Sequence, residues 1–273
     1  MYGGALDLLV TTDWLAAELG ADDLVVLDCT VVLRMTETGY ETESGAAGFE
    51  AGHIPGAGFA DLTGDLADPE SPNRFAPPTP EAFGTAMERL GVGDGRRVVL
   101  YDDAGSMWAA RVWFMLRWIG FDDAALLDGG MTAWRAEARP LETGPGMSTP
   151  AAAGSLSLAP RPRLSAHKDE VMAAIDDGAT CMIYALPEPV FRGEVDMYGR
   201  PGHIPGAVNI PLRELGENVD MIPTDRPVIV YCKSGWRAGI GVSSLAMMGF
   251  DNVKAFGGGW NAWSGAEEEV EME

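Results

Sequence analysis

The segment Gly52-His53-Ile54-Pro55-Gly56-Ala57 recurs letter for letter as Gly202-His203-Ile204-Pro205-Gly206-Ala207, beginning at residues 52 and 202 and so 150 apart. Further on, VVLYDD (98–103) answers VIVYCK (228–233) at a spacing of 130, and Gly120-Phe121 answers Gly249-Phe250 at 129. Gly129-Gly130, followed after three residues by Trp134, answers Gly258-Gly259 and Trp263, again at 129. A chain that writes one unit twice folds as two copies of one domain. The fall from 150 to 130 puts about 20 extra residues into the first copy, in the Pro-rich stretch DPESPNRFAPPTP. The 273 residues suit two domains of about 130 each.

Each copy alternates strand and helix. In the second, Val228–Tyr231 is a short apolar β-branched run, 238–248 reads as a helix stopped by Gly249, and 253–256 is the next strand. In the first copy, Ala109, Val112, Trp113 and Leu116 recur at helical spacing, a stripe that faces a core. This βαβ rhythm predicts an α/β fold with parallel sheets. The stretch 142–162, rich in Gly, Pro, Ala and Ser, lacks apolar periodicity. It reads as a linker between an N-terminal domain (1–141) and a C-terminal one (163–273).

Charge removes several classes of function. Lys and Arg number 19 against 41 Asp and Glu, a formal net charge of −22. No broad basic face remains to follow a phosphate backbone or an anionic lipid surface, so neither nucleic acid nor membrane is an expected partner. The run Glu267, Glu268, Glu269, Glu271, Glu273 reads as a solvated acidic tail. No stretch approaches 18 uncharged apolar residues, and MYGGALDLLVTTDW lacks the basic and apolar regions of an export signal, so a cytoplasmic protein is expected. Cys29, Cys181 and Cys232 are odd in number and widely spaced, which suggests free thiols and neither a disulfide framework nor a zinc site.

The aligned pairs Tyr101-Asp102 and Tyr231-Cys232 place a carboxylate in one copy where the other has a thiol. Cys232 ends a strand and opens the loop Cys232-Lys233-Ser234-Gly235-Trp236-Arg237 ahead of a helix, the place where open α/β sheets hold their ligands. Successive backbone N–H groups there form an anion nest, and with Lys233 and Arg237 they favour a nucleophilic thiolate. The polar neighbours argue against a buried Cys232, whereas Cys29 and Cys181, in or beside apolar runs, read as small core residues. Trp236 is either a rim residue of the pocket or a packing residue under the helix. His203 could serve as a general base, but His53 sits in the same motif of a copy without the cysteine, so a turn-shaping role is favoured for both.

The GHIPGA motif, the strand-Cys-loop-helix unit and Gly-Gly-(x)3-Trp, in duplicate with the cysteine only in the second copy, resemble the two-domain rhodanese-like sulfurtransferases of the thiosulfate/3-mercaptopyruvate family. The resemblance covers nearly the whole chain. It implies two tandem rhodanese-like domains, each a mostly parallel sheet flanked by helices, with the first domain catalytically silent and forming one wall of an interdomain cleft. It further implies that Cys232 carries a sulfane sulfur as a persulfide, cradled by the N–H groups of residues 233–237, from a small anionic donor to a thiophilic acceptor such as cyanide, a thiol or a protein. No metal or organic cofactor is implied. A related phosphatase loop needs Arg six residues after the Cys, where Ala238 stands; here Arg237 comes at five. Lys233 and Arg237 lean towards thiosulfate as donor, with 3-mercaptopyruvate as the alternative; a carrier module without turnover is a third reading. The family segment Asp-Ala-Arg-(x)3-Arg-Phe-Arg-Gly is altered here to Tyr184-Ala185-Leu186, then Val190-Phe191-Arg192-Gly193. Only Arg192 remains to contact substrate; otherwise it pairs with Glu188 or Glu194.

Overall fold

The computed structural model of the chain describes residues 6–36, 39–146, 154–196, 199–265 and 268–272. The chain divides into two compact units, Met1–Pro160 and Arg161–Glu273. The first contains β1 (Leu9–Val10), α1 (Thr12–Glu18), β2 (Leu24–Asp28), β3 (Val31–Thr36), β4 (Gly39–Ser44), α2 (Ala46–Ala51), β5 (Gly58–Phe59), α3 (Pro80–Arg89), β6 (Arg97–Tyr101), α4 (Met107–Trp118), β7 (Ala124–Leu127) and α5 (Gly130–Ala136). The second contains β8 (Ser165–Ala166), α6 (Lys168–Asp177), β9 (Cys181–Tyr184), α7 (Glu188–Phe191), β10 (Val208–Asn209), β11 (Val228–Tyr231), α8 (Trp236–Met247), β12 (Val253–Phe256) and α9 (Gly259–Ser264).

The two main sheets repeat one topology. Strand order β1-β7-β6-β2-β5 in the first unit corresponds to β8-β12-β11-β9-β10 in the second, and every pairing is parallel. Parallel strands covered on both faces read as unbroken apolar runs, and β6, β7, β9 and β11 are buried almost throughout. The strand expected at 228–231 is β11, and the one at 253–256 is β12. The helix expected at 238 starts two residues earlier, because Trp236 and Arg237 form its first turn behind the left-handed Gly235. The first unit adds an antiparallel ribbon, β3 with β4, between β2 and the repeated motif. Among the described residues no helix is long and apolar enough to cross a membrane.

Two expectations need correction. The 142–162 stretch is not a free linker. Glu142 and His53 exchange both main-chain hydrogen bonds, Gly144 N–H donates to the Glu50 carbonyl, and Leu156 and Ser157 are held by the side chains of Glu88 and Asp94. Ala159 N–H donates to the Ile119 carbonyl, so the division falls after Pro160. All of these contacts but the Ser157 hydroxyl on Asp94 use the segment's main chain, which explains the lack of apolar periodicity; 147–153 lie outside the described residues. The acidic run is likewise docked. Glu271 and His203 exchange both main-chain bonds at 3.0 Å, Lys168 pairs with Glu268 at 2.5 Å, and Trp263 Nε1–H donates to the Glu269 carbonyl at 2.7 Å. Glu267 and Glu273 lie outside the described residues. The two straps are a further repeat: Glu142 and Glu271 stand 129 apart, and each carboxylate accepts from the glycine N–H of its motif, Gly56 or Gly206.

The motif histidines do the same work in both units. His53 Nδ1 bonds the Phe49 carbonyl and its ring stacks on Phe49; His203 Nδ1 bonds the Phe191 carbonyl and stacks on Phe191, each bond at 2.8 Å. Both are buried, and the turn they shape delivers Ile54 or Ile204 N–H to the hydroxyl of Tyr101 or Tyr231.

Candidate active site

The loop after β11 is held from three sides. Tyr231 anchors the strand end: its hydroxyl accepts from Ile204 N–H at 3.0 Å, its carbonyl from Ala185 N–H at 2.9 Å, and its ring stacks on Tyr184 with centroids 4.6 Å apart. Burial pushes the Tyr231 phenol far above its usual range, so it stays a neutral structural hydroxyl. The loop peptides lean on the segment ahead of α9. The Cys232 carbonyl accepts from Trp260 N–H at 2.7 Å and the Lys233 carbonyl from Asn261 N–H at 2.8 Å. Gly259 (φ +54°) permits this approach, since a Cβ there would stand 2.3 Å from the Cys232 oxygen. Gly235 (φ +82°) lies against the Gly257 carbonyl, where a Cβ would come within 2.1 Å.

Five of the seven expected site residues fall in this loop and its first helical turn with Cys232. Lys233 and Arg237 are half-buried, while Ser234, Gly235 and Trp236 are buried. Trp236, 0% exposed, is the packing residue of the two alternatives, with the Arg237 guanidinium 4.0 Å from its ring centroid. Cys232 itself is 0% exposed and belongs to an apolar cluster with Tyr184, Leu186, Val190, Phe191 and Trp260. This corrects the expectation of an unburied thiol: the strand end sinks the residue below its polar loop. Arg192 is separate in character. It is exposed and its guanidinium pairs with Glu188 at 2.6 Å, the second of the two arrangements expected for it. Tyr184, Leu186 and Val190, where the family pattern has charged residues, are buried.

The first unit shows what such a loop holds. Asp102, at the position of Cys232, turns its carboxylate inward: Oδ1 accepts from Ala104 and Ser106 N–H, both at 2.8 Å, and Oδ2 from Trp108 N–H at 2.7 Å and Ala109 N–H at 2.8 Å. Four main-chain donors from a loop and the first turn of a twelve-residue helix converge on one anion. Burial still raises the Asp102 carboxyl above its usual range, with the four N–H groups opposing it. Both loops close on a left-handed residue before the helix, Ser106 (φ +64°) and Gly235. The second loop is one residue shorter, which is why the repeat spacing changes from 130 to 129 within it.

Cys29 and Cys181 are free, buried thiols, raised by burial and so poor nucleophiles. Sequence reasoning missed Trp260, Arg200 and the straps. Trp260 had a signal: its aligned partner in the first copy is Met131.

The rhodanese-like domain family matches residues 11–137 and 190–266. The 3-mercaptopyruvate sulfurtransferase of Escherichia coli (strain K12) is 32% identical over 281 residues, 97% of each chain. The thiosulfate sulfurtransferase of Azotobacter vinelandii is 31% identical, over 95% of this chain and 94% of its own. A crystal structure of SseA, a 3-mercaptopyruvate sulfotransferase from Escherichia coli, superposes with a TM-score of 0.80 at 31% identity, over 93% of this chain and 99% of that one. With a duplicated fold, a cysteine loop in one copy and relatives matched along almost their full length, the chain belongs to the rhodanese-like sulfurtransferases, as a tandem two-domain member.

Proposed function

We propose that the chain transfers a sulfane sulfur from thiosulfate to a thiophilic acceptor through a persulfide on Cys232. The observation that carries this reading is the four-donor cradle around Asp102, because Cys232 occupies the same place at the head of the equivalent loop and helix. There the thiolate attacks the outer sulfur of thiosulfate, the S–S bond breaks, and sulfite leaves with the bonding pair while the sulfur stays as Cys232–S–S⁻. Lys233 and Arg237, in the loop and the first turn, stabilise the departing sulfite. The acceptor, cyanide or a thiolate, then attacks the terminal sulfur and the Cys232 thiolate returns. The first unit, with Asp102 in place of the nucleophile, takes no sulfur.

The names of several relatives favour a second donor, 3-mercaptopyruvate, in which enolpyruvate leaves in place of sulfite. The test is thiocyanate formation from cyanide with each donor, by the wild type and by Cys232→Ser, with intact mass recorded. The expected result is a gain of one sulfur, about 32 Da, on the wild type alone and loss of turnover in the variant. A tenfold higher kcat/KM for 3-mercaptopyruvate would replace thiosulfate as donor. Sulfur gain without turnover would leave a carrier; turnover by Cys232→Ser would refute the persulfide route.

A further inference from the structure

The loop of Cys232 is tied to the 268–272 strap by a continuous chain of hydrogen bonds that runs through two side chains. Trp260 is 1% exposed; its main-chain N–H holds the Cys232 carbonyl at 2.7 Å, and its indole N–H holds the Arg200 carbonyl at 3.2 Å. The Arg200 guanidinium in turn donates to the Ser264 carbonyl at 3.0 Å, at the end of α9, and to the Glu268 carbonyl. The strap is fixed at its far side by Glu271, whose main chain pairs with His203 and whose carboxylate takes Gly206 N–H at 2.9 Å.

A planar trans peptide sends its N–H opposite to its carbonyl. By drawing the Cys232 and Lys233 carbonyls towards α9, Trp260 and Asn261 therefore turn the N–H groups of Lys233 and Ser234 away from α9 and into the loop, as an anion nest requires. In the first unit Met131 makes the same main-chain bond to the Asp102 carbonyl at 3.0 Å, but a thioether has no N–H to pass the contact on. The link through an indole exists where the cysteine is and not where the carboxylate is.

We propose that Arg200 and Trp260 are positioning residues for sulfur transfer: together they clamp the orientation of the 232–233 peptide from the 268–272 strap. This rests on Cys232 being the sulfur carrier. Without the Arg200 guanidinium, the Arg200 carbonyl that accepts from the Trp260 indole is no longer fixed to Ser264 and the strap, the peptide rocks, and the nest no longer faces the sulfur continuously.

The variants are Arg200→Gln, Arg200→Lys, Trp260→Phe, which keeps the main-chain bond and much of the packing, and the double variant Arg200→Gln/Trp260→Phe. Three quantities are read on the full chain well below its melting temperature: single-turnover loading of sulfur from thiosulfate, KM for thiosulfate, and the rate of Cys232 alkylation by iodoacetamide. Loading is expected to slow about tenfold in Arg200→Gln and in Trp260→Phe with KM changed less than about twofold, as for a misplaced reacting group. Arg200→Lys should recover to within about threefold, and the double variant should be no worse than the poorer single, because the two act in series. Alkylation of the buried thiol should rise while loading falls, with the far-UV circular dichroism and the melting temperature unchanged, which separates the effect from a loss of folded protein. Loading within about twofold of wild type in both singles, or single effects that multiply in the double, overturns the proposal. If the wild type takes no sulfur, the reading of Cys232 as carrier fails, and the alkylation rates alone decide: a rise upholds the clamp, no change removes it.

Discussion

Asp102→Asn measures the strength of the main-chain cradle in the copy where an anion is built in. The carboxylate serves two donors with each oxygen, Ala104 and Ser106 on Oδ1, Trp108 and Ala109 on Oδ2. Asparagine keeps one acceptor oxygen and sets an NH2 group against the other two donors. Each orphaned buried N–H costs about 1–3 kcal/mol, so two cost about 2–6 kcal/mol. Against this, the amide escapes the burial penalty that raises the Asp102 carboxyl. A net loss of about 3 kcal/mol remains, a large share of what a domain commonly has. For a unit of this size that lowers the melting temperature by about 6–12 °C. Urea unfolding followed by tryptophan fluorescence, fitted as two transitions, resolves it, with Trp108 and Trp113 of α4 reporting the first unit. A loss under about 1 kcal/mol would mean that the four short contacts contribute no more than a single ordinary hydrogen bond, and Asp102 would then be no guide to an anion cradle at Cys232.

Two further outcomes follow from single residues. Gly235→Ala places a Cβ 2.1 Å from the Gly257 carbonyl at a φ of +82°, so the loop must move; sulfur loading should fall at least about tenfold with the far-UV circular dichroism unchanged, and loading near wild type would show that the loop tolerates displacement. Asp28, buried at the end of β2, has its carboxyl raised by burial against its bond from Thr30 N–H at 2.8 Å. Its favourable contribution is therefore complete below its unfolded value near 3.8 and is lost as pH rises through the higher folded value. Relative to Asp28→Asn, the wild-type first unit should lose urea stability as pH climbs out of the acid range, and parallel stability curves for the two proteins would contradict this.

The duplicated frame was legible because its signals are local: an identical six-residue motif, apolar runs such as Val228–Tyr231, and a stop at Gly249. The cysteine loop was legible for the same reason, since the six contiguous residues 232–237 form it and its first helical turn. What escaped was made by main chain or by distant side chains. Glu142 and Glu271 dock through main-chain bonds and through carboxylates that meet only main-chain N–H groups, partners that leave no mark in the sequence, so their segments read as linker and tail. Arg200 reaches the 264–268 carbonyls across more than sixty residues of sequence. The burial of Cys232 escaped because loop polarity describes Lys233 and Arg237, whereas exposure at position 232 is set by the strand end and its aromatic stack.

The two copies differ most at one loop, and there the differences are coupled. Shortening the loop by one residue presses its left-handed residue onto the backbone before α9, so Ser106 becomes Gly235, where a Cβ would come within 2.1 Å of the Gly257 carbonyl. In the shorter loop a thiol cannot accept from four N–H groups as the Asp102 carboxylate does. With no internal anion to hold it, that loop takes its orientation from outside, through the Cys232 and Lys233 carbonyls to Trp260 and Asn261. Both loops are therefore held from behind, by Met131 or Trp260 N–H, and the first copy is fixed from within by Asp102 as well.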